Sequence, residues 1–242
     1  MDQQSTFYGL PTQRITNGQI ELDVLIDAGP RIVRLQLPGG SNLLAELPEK
    51  HWETPAGVFW IRGGHRLWHA PEAFPRTYQP DNAGLKNTAL PDGLQLFRPA
   101  EPATGIAKTV TITLAANAPR ATIVHELHNQ NAWAVELAPW AITMLRPGGL
   151  ALLPIGGPSE PGQLLPDRRI VLWPYTRLGD PRLQLHDDYI LVRADHGAPA
   201  KIGAFGRLGW AGYLIDGTLL IKRWTPQPGR PHPDDGCNLE AY

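Results

Sequence analysis

Glycine and proline interrupt this chain too often for long helices to form. The sequence holds 25 of each in 242 residues, spread from end to end, so few windows of helix length escape a breaker. The segments between the breakers read as strands. Ile20, Leu22, Val24 and Ile26 alternate with Glu21 and Asp23, and Val110, Ile112 and Leu114 alternate with Thr109, Thr111 and Thr113. Arg31–Leu37, Leu94–Arg98, Ala121–His128, Trp133–Leu145, Arg169–Trp173, Tyr189–Ala194, Trp210–Ile215 and Thr218–Trp224 follow the same pattern. Asn17-Gly18 and Asp216-Gly217 favour the two-residue turns with positive φ that join antiparallel strands, with Asp92-Gly93 a weaker third. The longest stretch without a breaker, Arg120–Ala138, reads as two strands, HELH and WAVELA, about a turn at Asn129-Gln130-Asn131. Pro139 predicts an edge, bulge or bend in the second of them. The expectation is one all-β antiparallel domain over residues 1–242, a large sandwich or a barrel.

Charge and cysteine content narrow the partners. With 22 Lys and Arg against 23 Asp and Glu, the net charge is −1, which gives no electrostatic ground for a nucleic-acid or anionic-membrane partner. The one cysteine excludes an internal disulfide framework and a cysteine-based zinc knuckle. Met1-Asp2-Gln3-Gln4 is polar, with no apolar core of a secretory signal, and no run reaches the roughly 18 apolar residues of a membrane span. A soluble, cytoplasmic protein is expected.

The densest chemistry lies in WIRGGHRLWHAPE, residues 60–72, which gathers Arg62, His65, Arg66, Trp68, His69 and Glu72 beside a glycine pair. Geometry argues against a metal held by His65, His69 and Glu72: on a helix the two His would meet, but Gly63-Gly64 and Pro71 leave only a short turn. Residues four apart on a strand stand about 13 Å apart, whereas metal–ligand bonds are about 2 Å long. His125 shares a strand face with Ile123 and Leu127 and reads as a hydrogen-bonded core histidine, with His128 on the opposite side. GPSEPG at 157–162 lacks the spacing of a serine nucleophile elbow, and the glycine pairs at 39–40, 148–149 and 156–157 open no predicted helix that would cradle a phosphate. Eight tryptophans are many for this length. Such rings stack on the apolar faces of sugars while neighbouring polar groups take the hydroxyls. Trp68 and Trp140 are the leading candidates, the first for its polar neighbours and the second for its proline-bent strand.

The segments DAGPRIVRL (27–35), GGHRLWHAPE (63–72), LAPWAITMLRPGG (137–149), LWPYT (172–176), DPRL (180–183), DDYILV (187–192), GWAGYL (209–214) and HPDDGCNLEAY (232–242) span the chain in order. In them the chain resembles the galactose-mutarotase-like, or aldose 1-epimerase-like, superfamily, and most closely an uncharacterised branch of it. The resemblance implies an antiparallel β-supersandwich that binds a carbohydrate. Mutarotases open a pyranose with a His acid and a Glu base, and they use neither metal nor cofactor. Position by position, Arg66 resembles the family's sugar-binding arginine, Asp188 its sugar-binding aspartate, and Pro233-Asp234 with Asn238 a structural segment.

The catalytic positions depart from the family. Leu219–Gly229 contains no carboxylate where the base belongs, Lys222 stands in that region, and Ala138-Pro139-Trp140 stands near the place of the acid's segment. His65 and Glu240 are the remaining acid and base. The expected function is carbohydrate binding in an open cleft lined by His65, Arg66, Trp68, Trp140, Asp188 and Lys222. The alternative is a cofactor-free epimerase using His65 and Glu240, and the outsider is a metal-dependent cupin-like barrel, which lacks its H-x-H pair. Relatives continue beyond the segment matching Asn238–Tyr242, so the final strand is expected at an uncovered edge with Glu240 exposed.

Overall fold

A computed structural model describes residues 4–157, 162 and 164–242. Of the GPSEPG segment, residues 158–161 lie outside the described residues. The chain is almost entirely antiparallel β and divides into two compact units, one ending at Arg146 and the other spanning Pro147–Tyr242.

The first unit carries β1 (Gln4–Phe7), β2 (Leu10–Thr16), β3 (Glu21–Leu25), β4 (Arg31–Gln36), β5 (Glu46–Thr54), β6 (Gly57–Gly63), β7 (His65–Ala70), β8 (Lys86–Leu90), β9 (Gly93–Arg98), β10 (Ile106–Leu114), β11 (Ala121–Asn129) and β12 (Ala138–Thr143). A six-stranded sheet, β1-β2-β3-β4-β7-β12, faces a four-stranded sheet, β11-β10-β9-β8. Ile15, Leu22, Val24, Ile32 and Leu67 of the larger sheet meet Leu94, Leu96, Val110 and Ile112 of the smaller in one apolar cluster. Strand alternation puts these side chains on the inner faces, which makes the pair a sandwich. β5 and β6 form a separate hairpin.

The second unit repeats the plan with β13 (Leu150–Pro154), β14 (Ile170–Leu172), β15 (Leu183–Leu185), β16 (Tyr189–Arg193), β17 (Ile202–Ala204), β18 (Trp210–Ile215), β19 (Thr218–Arg223) and β20 (Leu239–Ala241). A five-stranded sheet, β15-β16-β13-β18-β19, and a three-stranded sheet, β14-β17-β20, share a core of Leu153, Ile155, Ile190, Ile202 and Ala204. The only helical element among the described residues is the four-residue α1 (Pro233–Gly236), where Asp234 and Asp235 take left-handed φ of 52° and 62°. No helix among the described residues is long and apolar enough to cross a membrane.

Local signals meet mixed outcomes. Ile215 pairs with Thr218 across Asp216-Gly217, whose φ values of 48° and 74° make the expected two-residue turn. At Asn17-Gly18 the loop is four residues, because Thr16 pairs with Glu21. There Asn17 Oδ1 accepts the amides of Gln19 and Ile20, and its Nδ2 donates to the carbonyls of Ala115 and Ala118. Pro139 sits on β12, an edge of the six-stranded sheet, where a missing N–H costs no ladder bond. The expected strand over 133–137 does not form; only Ala138–Thr143 pairs with β7.

Candidate functional site

β7 is buried along its whole length because both of its faces are covered. His65 and Leu67 point into the sandwich, where Leu67 joins the apolar core. His65 Nε2 lies 2.8 Å from His125 Nε2 of β11, and its Nδ1 lies 2.8 Å from Thr143 Oγ1. Arg66 and Trp68 point the other way, into a cluster with Phe59 and Ile61 of the β5–β6 hairpin, Tyr78 and Trp140. The Gly63-Gly64 pair that opens the strand serves close approach: a Cβ on Gly63 would stand 2.0 Å from the Ala45 carbonyl, and one on Gly64 2.1 Å from that of Ile32.

This placement corrects the expectation that His65, Arg66 and Trp68 line an open cleft. His65, Arg66 and Trp68 are 6%, 4% and 7% exposed, so none lines an open cleft. Trp68 and Trp140 do come together, as directly opposed residues with ring centroids 5.6 Å apart, but they pack edge to face on each other.

Beside Arg66 lies a group of buried ionic side chains. Arg31 Nη2 and Arg62 Nη1 donate to Asp81 at 2.5 and 2.8 Å, and Arg62 Nη2 donates to Asn82. Burial pushes the Asp81 carboxyl up, but the two guanidinium groups outweigh it and hold the carboxyl at about 2. Arg66 lies 4.3 Å above the Trp68 ring, and burial together with Arg31 lowers its guanidinium to about 9.

An open pocket lies elsewhere in the same unit. It has a volume of about 320 Å³ and is lined by His69, Arg76, Asn131, Trp133, Val135 and Leu137, with the 102–106 turn as its floor. Trp133 is 67% exposed. Asn131 is docked on the turn by a bond from its Nδ2 to the Thr104 carbonyl, and Gln130 N donates to the Gly105 carbonyl. Gly105, at φ +67°, is required there because a Cβ would meet Asn131 Oδ1 at 2.2 Å.

Behind the pocket wall runs a buried polar chain. Arg76 Nη1 lies 2.7 Å from His69 Nδ1 and, since a guanidinium only donates, this nitrogen accepts and the ring proton sits on Nε2. Nε2 faces Glu101 Oε2 at 3.5 Å, and Lys108 Nζ donates to the other carboxylate oxygen. Burial raises the Glu101 carboxyl, while His69 and Lys108 hold it below the usual carboxylate range.

The other expected residues lie in the second unit. Asp188 has a side chain 73% exposed, 3.8 Å from Arg168. Lys222 of β19 retains accessible surface, while crowding by protein lowers its ammonium to about 8 through desolvation. Accessible area decides whether a solute can arrive, so Lys222 is a reachable cation. Glu240 of β20 corrects the expectation of an exposed carboxylate. β20 does form an edge of its sheet, but the Glu240 side chain is only 14% exposed and lies 2.8 Å from Lys201 Nζ. Burial raises Glu240 to about 7; Lys201 opposes that shift and Asp234 adds to it. Lys201 also lies 3.9 Å above the Trp173 ring. Burial, with Glu240 and the α1 carboxylates, pushes the Cys237 thiol up to about 12, so it stays protonated and unreactive. Asn238 Oδ1 accepts the Gly206 amide, a structural tie.

Among the described residues no group of three or more His, Cys, Asp or Glu converges as a metal site would require. No protein-family model, no curated protein and no solved structure matches the chain.

The pocket was missed because its residues carry no motif. Trp133, Val135 and Leu137 alternate as a strand would, yet their apolar face meets a cavity instead of a second sheet. The usable signal was that alternation together with the asparagine-rich turn just before it.

Proposed function

We propose that this protein is a carbohydrate-binding protein with a β-supersandwich fold of the galactose-mutarotase-like type, and that the sugar binds in the Trp133 pocket of the first unit. The observation that carries the reading is an exposed indole beside polar groups in a concavity of monosaccharide size. A pocket of about 320 Å³ falls at the small end of the range for small-molecule sites. The Trp133 face supplies an apolar platform for the C–H face of a pyranose. Arg76 and Asn131 supply donors and acceptors for hydroxyls, and the bonds from Arg76 to His69 and from Asn131 to the Thr104 carbonyl hold them in place beforehand. The segments quoted for the family resemblance support the fold type.

Ligand-observed NMR with neutral aldohexoses, hexuronic acids and hexose phosphates tests the reading. Saturation transfer to one sugar class in the wild type, lost in Trp133→Ala, is expected. No transfer from any of them at millimolar concentration, or undiminished transfer in Trp133→Ala, would overturn it.

A second reading, cofactor-free epimerisation, is favoured by one observation, the Glu240 carboxyl raised to about 7 where a general acid–base works best. Its test is anomer exchange measured by NMR. An enzymatic rate that survives in Glu240→Gln refutes that role for Glu240.

A further inference from the structure

Unit 1 buries more positive than negative charge in one place. Arg31, Arg62, Arg66 and Lys108 are each 6% exposed or less, and Arg98 lies against the same cavity. Against these five cations stand two largely buried carboxylates, Asp81 and Glu101, while the exposed Glu72 acts on Arg66 only through space. Asp81 is taken by Arg31 and Arg62, and Glu101 by Lys108 and His69. Arg98 donates through both Nη atoms to the carbonyls of Ala83 and Pro80. Arg66 has no carboxylate partner. Its Nη2 meets only the Met144 sulfur at 3.3 Å, and its Nε and Nη1 are buried without a protein acceptor. The Nε groups of Arg31 and Arg98 are in the same condition.

These three guanidinium groups border one cavity, also lined by Phe59, Trp68 and Asp81. Its volume is about 10 Å³, room for roughly one water-sized particle. A buried cation with no carboxylate in contact with it is costly, and the ring of Trp68 offsets that cost only in part. Donors with no acceptor, an unbalanced positive field and a space for one small particle all call for the same occupant.

We propose that this cavity binds a single monatomic anion, chloride under ordinary conditions, with Arg66 Nε–H and Nη1–H as its principal donors. Sulfate, phosphate and sugar carboxylates are too large for the space. The site is separate from the Trp133 pocket, so its failure leaves the carbohydrate reading standing, and the reverse holds.

The test is thermal unfolding of the full chain at neutral pH and constant ionic strength, with gluconate progressively replaced by chloride, bromide or sulfate. The expected result is a saturable rise in Tm with both halides that is absent in Arg66→Met, a variant at least as stable as the wild type in gluconate. Equal Tm values in chloride, bromide and gluconate would show that water suffices in the cavity and would overturn the proposal. So would a non-saturating rise shared with sulfate, which marks exclusion of salt from the surface. If Arg66→Met does not fold, wild-type crystals soaked in bromide decide the matter. An anomalous peak among Arg66, Arg31 and Arg98 is expected, and its absence refutes the site.

Discussion

The two units share a plan, two antiparallel sheets about an apolar core, yet they treat buried charge in opposite ways. In the first unit arginines crowd around few carboxylates, and Asp81 is held at about 2. In the second unit Asp234 and Glu240 share the surroundings of one ammonium, Lys201, and Glu240 is raised to about 7. Burial acts upward on both carboxyls. The ratio of cations to carboxylates decides the direction: surplus cation keeps a carboxylate ionised, whereas surplus carboxylate makes one of them keep its proton. The first arrangement keeps its carboxylate ionised, and the second pushes one of its carboxyls toward the protonated form.

Removing the lone carboxylate of the arginine group is the most severe way to break this comparison. Asp81→Asn leaves Arg31 and Arg62 buried without a counter-charge, and losing one partner of a buried pair costs about 3–5 kcal/mol. Hydrogen exchange on the full chain should show the loss in β4, β6 and β7, with the second unit unchanged. A cost below about 1 kcal/mol, the range of an exposed ion pair, would mean that the arginines do not depend on Asp81.

The pH response comes next in size, with opposite signs in the two units. Asp81 has its carboxyl lowered from 3.8 to about 2, so its contribution is complete above the unfolded value and disappears as pH falls through the folded one. The first unit should lose about 2 kcal/mol between those limits. Glu240 has its carboxyl raised from 4.5 to about 7, so its contribution is complete at low pH and disappears as pH rises through that interval. Exchange rates corrected for their intrinsic pH dependence should show the second unit weakening over that range, and Glu240→Gln should flatten the slope. A second unit that strengthens as pH rises from 4.5 to 7 would reverse the comparison.

Local features of the fold were legible in the sequence, and remote pairings were not. The Asp216-Gly217 turn and the edge position of Pro139 follow from two or three residues each, so composition and spacing suffice. The all-β antiparallel class follows from breakers and alternation. The candidate site depends on contacts that no short window contains. Arg31 finds Asp81 fifty residues away, and His65 finds His125 sixty residues away. The 60–72 cluster looks like a ligand surface until the β5–β6 hairpin and Tyr78 are laid over Arg66 and Trp68, and nothing in the cluster announces that cover. His125 reads as a core histidine beside Ile123 and Leu127, because its strand face alone carries that information.

The smallest stability effect belongs to the residue on which the carbohydrate reading rests most. Trp133 is 67% exposed and follows a docked turn that holds by backbone and asparagine bonds, including one from Asn129 Nδ2 to the Trp133 carbonyl. Truncating the ring leaves those bonds intact, so Trp133→Ala should change unfolding stability by no more than about 0.5 kcal/mol, as at other exposed positions. Sugar affinity should fall by about tenfold or more, since a stacked ring contributes on the order of 1.4 kcal/mol. Trp68→Ala is the matched contrast. It empties a buried aromatic cluster and should cost about 3–5 kcal/mol, with little change in sugar affinity measured below its unfolding temperature. An exposed indole whose removal destabilises the fold as much as Trp68 does would be a packing element, and the pocket would then lose its platform.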